Sequence, residues 1–244
     1  MPADGPDEPR LLVAACTYNE RENVPVLVSR ILDTQPGADV VIVDDGSPDG
    51  TGDLADEMAA ADPRVKVIHR EGERGLGVAT VDAFCYAIEH GYDLVINLDA
   101  DLSHPPEAIP LFLERIDEFE VVVGSRYIPG GGIEGWGPTR HVMSRCINTY
   151  SRFLLGLTPR DVSGSFRCYR VDVLREIDFD DVFSKGYAFM EEVLFRCRLA
   201  GAEFAEVPFV FIDREAGDSK INASECVRAV VDLARLALLR RFRR

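Results

Sequence analysis

A chain of 244 residues that is 46% hydrophobic can build one large α/β domain, or two small ones, around a full core. Its 27 basic and 42 acidic side chains leave a net charge of −15, which argues against a nucleic-acid partner, since that affinity comes from neutralising phosphates. No apolar run reaches the length of about 18 residues that a transmembrane helix needs, and the acidic, proline-rich start reads as a disordered segment over 1–9 rather than a signal peptide.

In chain order, apolar β-type runs at 11–16, 39–43, 65–68, 94–98 and 120–124 alternate with helix-like stretches at 22–33, 51–61, 76–90 and 106–117. Uninterrupted apolar strands separated by helices predict an α/β fold with a mostly parallel sheet flanked by helices. Residues 128–138, dense in glycine, read as a mobile loop. A helix is expected over 139–156, another over 186–200, a strand over 204–212, and an amphipathic helix over 221–241. The expected organisation is one domain over 10–220 and a basic amphipathic C-terminal helix over 221–244. The six cysteines are scattered without a Cys-x-x-Cys pair and read as reduced core thiols.

The most informative stretch is Leu94 to His104. An apolar strand ends in Asp99 and Asp101, two positions apart and therefore pointing to one side. Hard carboxylates at this spacing suit Mg2+ or Mn2+, ions that in turn hold phosphates. Ligands of parallel α/β sheets bind beyond the carboxyl ends of the strands, and four polar clusters fall at those ends: 17–20, 44–51, 99–104 and 124–126. In the first, Tyr18 can lie against a base and Glu20 can accept from base or sugar, or Asn19 and Glu20 cap a helix. In the second, Asp44 or Asp45 reads a nucleotide hydroxyl, or the segment is a solvated turn with Thr51 as its cap.

Arg74-Gly75-Leu76-Gly77 is too short for a dinucleotide fingerprint and lacks the P-loop Lys, yet Arg74 can reach a base or phosphate. Arg126, Arg140, Arg145, Arg167, Arg214 and Lys220 stand out in so acidic a chain, and Arg binds phosphate bidentately. Glu191 and Glu192 can accept a sugar hydroxyl, act as a base, or face solvent. His104 reads as a hydrogen-bonding loop residue, and Trp136 either anchors its loop or touches an acceptor.

Taken in order, Thr-Tyr-Asn-Glu (17–20), Asp-Asp-Gly-Ser-Pro-Asp-Gly-Thr (44–51), Gly-Leu-Gly (75–77), Asp-Ala-Asp-Leu-Ser-His (99–104), Gly-Ser-Arg-Tyr (124–127), Gly-Ser-Phe-Arg-Cys-Tyr-Arg (164–170) and Asp-Arg-Glu-Ala-Gly-Asp-Ser-Lys (213–220) resemble the dolichyl-phosphate mannosyltransferases, within the polyprenyl-phosphate sugar synthases of glycosyltransferase family 2. The resemblance implies a GT-A fold and inverting transfer of mannose from GDP-mannose to a dolichyl or other polyprenyl phosphate. It places Thr17, Tyr18, Glu20, Asp44, Asp45, Arg74, Asp99 and Glu192 around the nucleotide sugar. It assigns Asp99, Asp101 and, in place of the Gln of many relatives, Ser103 to Mg2+ or Mn2+. Arg126, Arg140 and Arg214, with Ser219 and Lys220, would meet the phosphates of donor or acceptor; Asp101, Arg126 and Arg214 would be catalytic. Met190 stands where the family usually carries Gln.

The lipid acceptor implies a peripheral protein at the cytoplasmic face of a membrane, attached by the basic C-terminal helix, with a small membrane subunit as a candidate partner. Two other readings compete: a family 2 transferase using UDP-glucose or another nucleotide sugar on a lipid phosphate, and a noncatalytic nucleotide-sugar-binding subunit.

Overall fold

The computed structural model describes residues 9–184, 186–213 and 230–238. Five strands and four helices of the first half fall close to their expected places: β1 Leu11–Thr17, α1 Val24–Thr34, β2 Asp39–Asp44, α2 Thr51–Ala61, β3 Val65–His69, α3 Leu76–Glu89, β4 Leu94–Asp99, α4 Ile109–Ile116 and β5 Val121–Ser125. Strands of β-branched and aliphatic residues bury both faces, the pattern of a sheet covered on each side. Along β1 the side chains alternate between two cores. Leu12 and Ala14 join α3 residues such as Ala83 and Phe84, whereas Val13 and Ala15 join Leu27 and Ile31 of α1 and Phe112 of α4.

The second half departs from the expectation in three places. Residues 128–138 are not a bare loop: β6 (Gly132–Glu134) pairs in parallel with β9 (Val210–Ile212). The strand expected over 204–212 is two strands, β8 (Phe204–Pro208) at the edge of the main sheet and β9 in the small one. Earlier in the chain, the segment around 167–170 forms β7 (Arg167–Arg170), which lies between β4 and β5 in the sheet and runs antiparallel to both. It is short and polar at both ends, so no apolar run announces it. α5 (Pro138–Leu155), α6 (Val171–Arg175) and α7 (Phe189–Leu199) complete the domain.

The main sheet has the order β3-β2-β1-β4-β7-β5-β8. The chain winds outward from β1 to β3, then returns to start β4 on the other side of β1. The strand order therefore reverses between β1 and β4, which opens a crevice at their carboxyl ends. Pairing register sets Cys16 beside Asp99, Thr17 beside Asp44, and Asp44 beside His69. One row of strand ends thus carries the polar clusters.

A helix occupies 230–238 and buries Leu233 and Leu236 against the α3 side of the core. Arg235 lies over the ring of Phe183 at 4.2 Å. This part of the expected C-terminal helix is docked on the domain, while Val230, Val231 and Leu238 stay exposed. The rest of the expected helix, with Arg240, Arg241, Arg243 and Arg244, lies outside the described residues, as does the expected disordered start apart from Pro9. No helix among the described residues is long and apolar enough to cross a membrane. The five described cysteines are free, and burial pushes the Cys16 and Cys197 thiols up to about 12, which keeps them protonated.

Candidate active site

The site is built from the ends of β1, β2, β4 and β5. Asp44 ends β2 and is almost fully buried. Its carboxylate accepts from the Ser47 backbone N–H at 3.2 Å and the Thr17 hydroxyl at 3.4 Å. Asp45, next to it, is gripped by the Arg70 guanidinium and accepts from the Gly75 backbone N–H at 2.7 Å. Gly75 has φ +150°, a conformation that L side chains rarely adopt, and this turn aims its N–H at Asp45. Gly77 serves packing rather than a ligand: a Cβ there would stand 2.9 Å from the Phe189 ring of α7.

Arg74 closes this side. It donates to the Tyr18 hydroxyl at 3.1 Å and the Gly46 carbonyl at 2.9 Å, and lies over the Tyr18 ring. Glu20 accepts from the Asn23 side chain at 2.6 Å, and its backbone N–H donates to the Thr51 hydroxyl, so it tethers the start of α1 to the second loop. Asn19 sits at φ +59° and Leu102 at φ +64°, the two described non-glycine residues with positive φ. One follows β1 and the other β4, so local backbone strain is concentrated at this edge.

Asp99 is the last residue of β4. The strand does not continue to Asp101, so the expected same-face alternation does not govern the pair; Asp101 lies in the turn that follows. Asp99 accepts from the Ser165 hydroxyl at 2.6 Å, and Asp101 from the backbone N–H and hydroxyl of Ser103 at 3.1 and 2.5 Å. His104 is buried against Phe166, and its Nδ1 accepts from the Asp99 backbone N–H at 3.0 Å. Burial lowers its pKa against the opposing pull of Asp99 and Asp101, consistent with a neutral ring in a hydrogen-bonding role.

On the other side of the crevice, Arg126 forms a bidentate pair with buried Asp161, Nε at 2.6 Å and Nη2 at 2.7 Å. Nη2 also reaches Ser163, and none of the described residues hydrogen-bonds Nη1. The guanidinium is stacked among Tyr127, Trp136 and Phe211. Arg140 lies 4.0 Å over the Trp136 ring and pairs with Asp213 at 2.8 Å. Trp136 therefore anchors its loop. The short segment 161–165 ties the two halves together, holding Arg126 through Asp161 and Ser163, and Asp99 through Ser165.

Two expected residues are placed elsewhere. Glu192 is fully buried, and its carboxylate accepts from Arg196 and the backbone N–H groups of Phe183 and Ser184. It orders that turn rather than opening onto the crevice. Glu191 does not face solvent either; it is buried near Arg167 and Ser151. Arg214, Ser219 and Lys220 lie outside the described residues. Arg70 and Asp161 are site residues that no sequence motif marks. Arg70 is the first residue after β3, at the same sheet edge as the other clusters, and that position was the available signal.

A family model for glycosyl transferase family 2 matches residues 12–178. The chain belongs to glycosyltransferase family 2. It is 43% identical over 233 residues to an undecaprenyl-phosphate mannosyltransferase of Micrococcus luteus, covering 96% of each chain. It is 44% identical to a polyprenol monophosphomannose synthase of Mycolicibacterium smegmatis, covering 92% of this chain and 86% of that one. Among solved structures, glucosyl-3-phosphoglycerate synthase of Mycobacterium tuberculosis superposes with a TM-score of 0.69 at 15% identity, over 94% of this chain and 80% of that one. A complex of that enzyme with Mn2+, UDP and glucosyl-3-phosphoglycerate gives 0.68 at 16% identity, over 93% and 80%. The fold is that of the GT-A glycosyltransferases.

The donor set of this family 2 transferase fits one type of metal site. Among the described residues no cluster of three or more His, Cys, Asp or Glu could hold an ion. Two carboxylates with a neighbouring hydroxyl are too few for an all-protein cage. They suit Mg2+ or Mn2+, which keep open positions for substrate phosphates.

Proposed function

We propose that this protein transfers mannose from GDP-mannose to a polyprenyl phosphate, dolichyl phosphate included, with inversion at the anomeric carbon. The observation that carries the reading is the Asp99–Asp101 pair set at the reversal of strand order, between the carboxylates that end β2 and an arginine-rich wall. The two relatives, whose names give mannosyl transfer to a polyprenyl lipid, supply the sugar and the acceptor class.

An oxygen of the acceptor phosphate forms the bond to the anomeric carbon as the bond to the β-phosphate oxygen of GDP breaks. The acceptor is already an anion at neutral pH and needs no strong base. The barrier is repulsion between two phosphate groups. Arg126, oriented by Asp161 with Nη1 left for a ligand, and Arg140 lower it for the incoming anion; Arg214 would act with them. Asp45, fixed by Arg70 and Gly75, and Asp44 present carboxylates to hydroxyls of the nucleoside, while Arg74 and Tyr18 offer a stacked surface for the base. Glu20 acts here by holding the loops together. A divalent ion held by Asp99 and Asp101, with Ser103 supporting Asp101, would stabilise the departing diphosphate. The protein would work peripherally at the cytoplasmic face of the membrane, beside a small membrane subunit if one is required.

The test is transfer of radiolabelled sugar to polyprenyl phosphate from GDP-mannose or UDP-glucose, with Mg2+, Mn2+ or EDTA. Mannolipid formed only with metal, and cleaved by a β-specific mannosidase, is the expected result. Asp101→Asn should lower the rate by about 100-fold or more while leaving the fold and melting temperature intact. Product only from UDP-glucose would overturn the donor. A folded protein that binds nucleotide but forms no product, even with membranes added, would point to a noncatalytic subunit.

A further inference from the structure

Behind the arginine wall lies a second set of buried polar groups that the proposed transfer does not use. Arg167 of β7 is fully buried. Its guanidinium donates to neutral acceptors: the Met190 carbonyl at 2.6 Å, the Val162 carbonyl at 2.7 Å and the Tyr169 hydroxyl at 3.3 Å. Among the described residues no carboxylate forms an ion pair with it, and its Nε has no hydrogen-bond partner. Glu191, in the first turn of α7, is buried near it, and one of its oxygens is also without a partner. A buried cation and a buried carboxyl thus share one interior, each with a hydrogen-bonding position open, where an unpaired charge is costly.

Arg167 bears on the candidate site through what it holds. Val162 sits between Asp161 and Ser163, which both bond Arg126. Asn148 of α5 accepts from the backbone N–H groups of Val162 and Ser163 at 2.7 and 3.2 Å, and Glu206 of β8 accepts from that of Asp161 at 3.2 Å. Arg167 adds the bond to the Val162 carbonyl. A shift of Arg167 is therefore felt by the segment against which Arg126 is set.

We infer that Glu191 is a positioning residue for Arg126, acting through Arg167 and the 161–165 segment. Protonated, Glu191 is neutral and leaves Arg167 on the Val162 carbonyl, the arrangement of the structure. Ionised, it pairs with the open Nε of the guanidinium and draws Arg167 off Val162, so that Arg126 is held less firmly for an incoming phosphate. This deepens the acceptor-phosphate reading above and rests on it. The charged groups that face Glu191 are Arg167, which favours its ionised form, and Asp161, which opposes it; α5 offers the Ser151 hydroxyl. Tyr169 and Cys197 face Arg167, and burial pushes both up to about 12, so they stay neutral. Glu192, next along α7, is taken up by Arg196. Burial sets the Glu191 carboxyl at about 7, so both of its forms occur in the neutral range.

The experiment measures binding of a short, water-soluble isoprenyl phosphate to the full chain by calorimetry, for wild type and Glu191→Gln. Gln keeps the shape of a protonated Glu and cannot ionise. The ligand's own phosphate titrates alike in both, so the ratio of the two dissociation constants isolates Glu191. The ratio should be near one at about pH 6, and wild type should bind about fivefold more weakly than the variant at about pH 8.5. GDP without metal, expected on the Asp44, Asp45 and Arg74 side, should show one ratio at both pH values. The protonated-carboxyl infrared band lost in Glu191→Gln should fade in wild type over the same range. An isoprenyl-phosphate ratio that stays flat while the band fades would overturn the positioning role. So would a band that does not titrate, no binding of isoprenyl phosphate at either pH, or an equal change for GDP, the mark of general loosening. A pH-dependent ratio in a protein that transfers no sugar would keep the positioning and sink the transfer reading.

Discussion

Glu191 is a carboxyl held well above its ordinary value. Burial pushes its carboxyl up to about 7 from 4.5, against the opposing pull of its own backbone N–H and of Arg167. One of its oxygens makes no hydrogen bond. The folded protein therefore holds this proton more tightly than the unfolded chain does. Its contribution to stability is greatest below 4.5, falls as the pH rises towards about 7, and levels off above that. Glu191→Gln should remove the dependence: chemical denaturation at about pH 8 should show a gain over wild type larger by about 2–3 kcal/mol than the gain at about pH 5. An equal effect at both pH values would refute the assignment. Asp161 provides a second residue-scale case, because it is the sole carboxylate paired with buried Arg126 among the described residues. Asp161→Ala should cost about 3–5 kcal/mol in urea denaturation, and adding Arg126→Met should recover part of that by removing the stranded charge.

At the scale of elements, the close approach of α3 to α7 depends on a missing side chain. Gly77→Ala would drive a methyl into the Phe189 ring, with nothing flexible to give way. A loss of about 1–3 kcal/mol is expected, seen as a lower denaturation midpoint at an unchanged slope. The elements also show what a local pattern can carry. β1 to β5 and α1 to α4 were legible because each is a run with a clear period bounded by turn residues. β7 was not, since Arg167 and Arg170 bracket only Cys168 and Tyr169, and the strand exists because β4 and β5 leave a slot between them. β6 was hidden for the same reason: a glycine-rich stretch becomes a strand only when β9 lies beside it. Glu192 followed its motif to the right helix, but the helix turns it inward onto Arg196 and the 183–184 turn.

At the scale of the whole molecule, Asp99, Asp101 and the Asp44–Asp45 pair gather acidic charge at one edge, faced across the crevice by Arg126 and Arg140. Two carboxylates are an incomplete site for a divalent ion, and under the proposed function a nucleoside diphosphate would complete it. Thermal melting should therefore show a larger stabilisation by GDP and Mn2+ together than the sum of each alone, and Asp101→Asn should abolish the excess. Additive shifts would speak against a shared site.

The sequence by itself determined the α/β alternation, the sheet edge that bears the polar clusters, the acidic pair after β4 and the family, because each rests on local periodicity or on residues close together in the chain. Only the tertiary structure decided which charges meet. Asp45 with Arg70, Arg126 with Asp161, and Ser165 with Asp99 all join residues distant in sequence. Strand order and the crossings between strands set those partners, and no spacing along the chain encodes them directly.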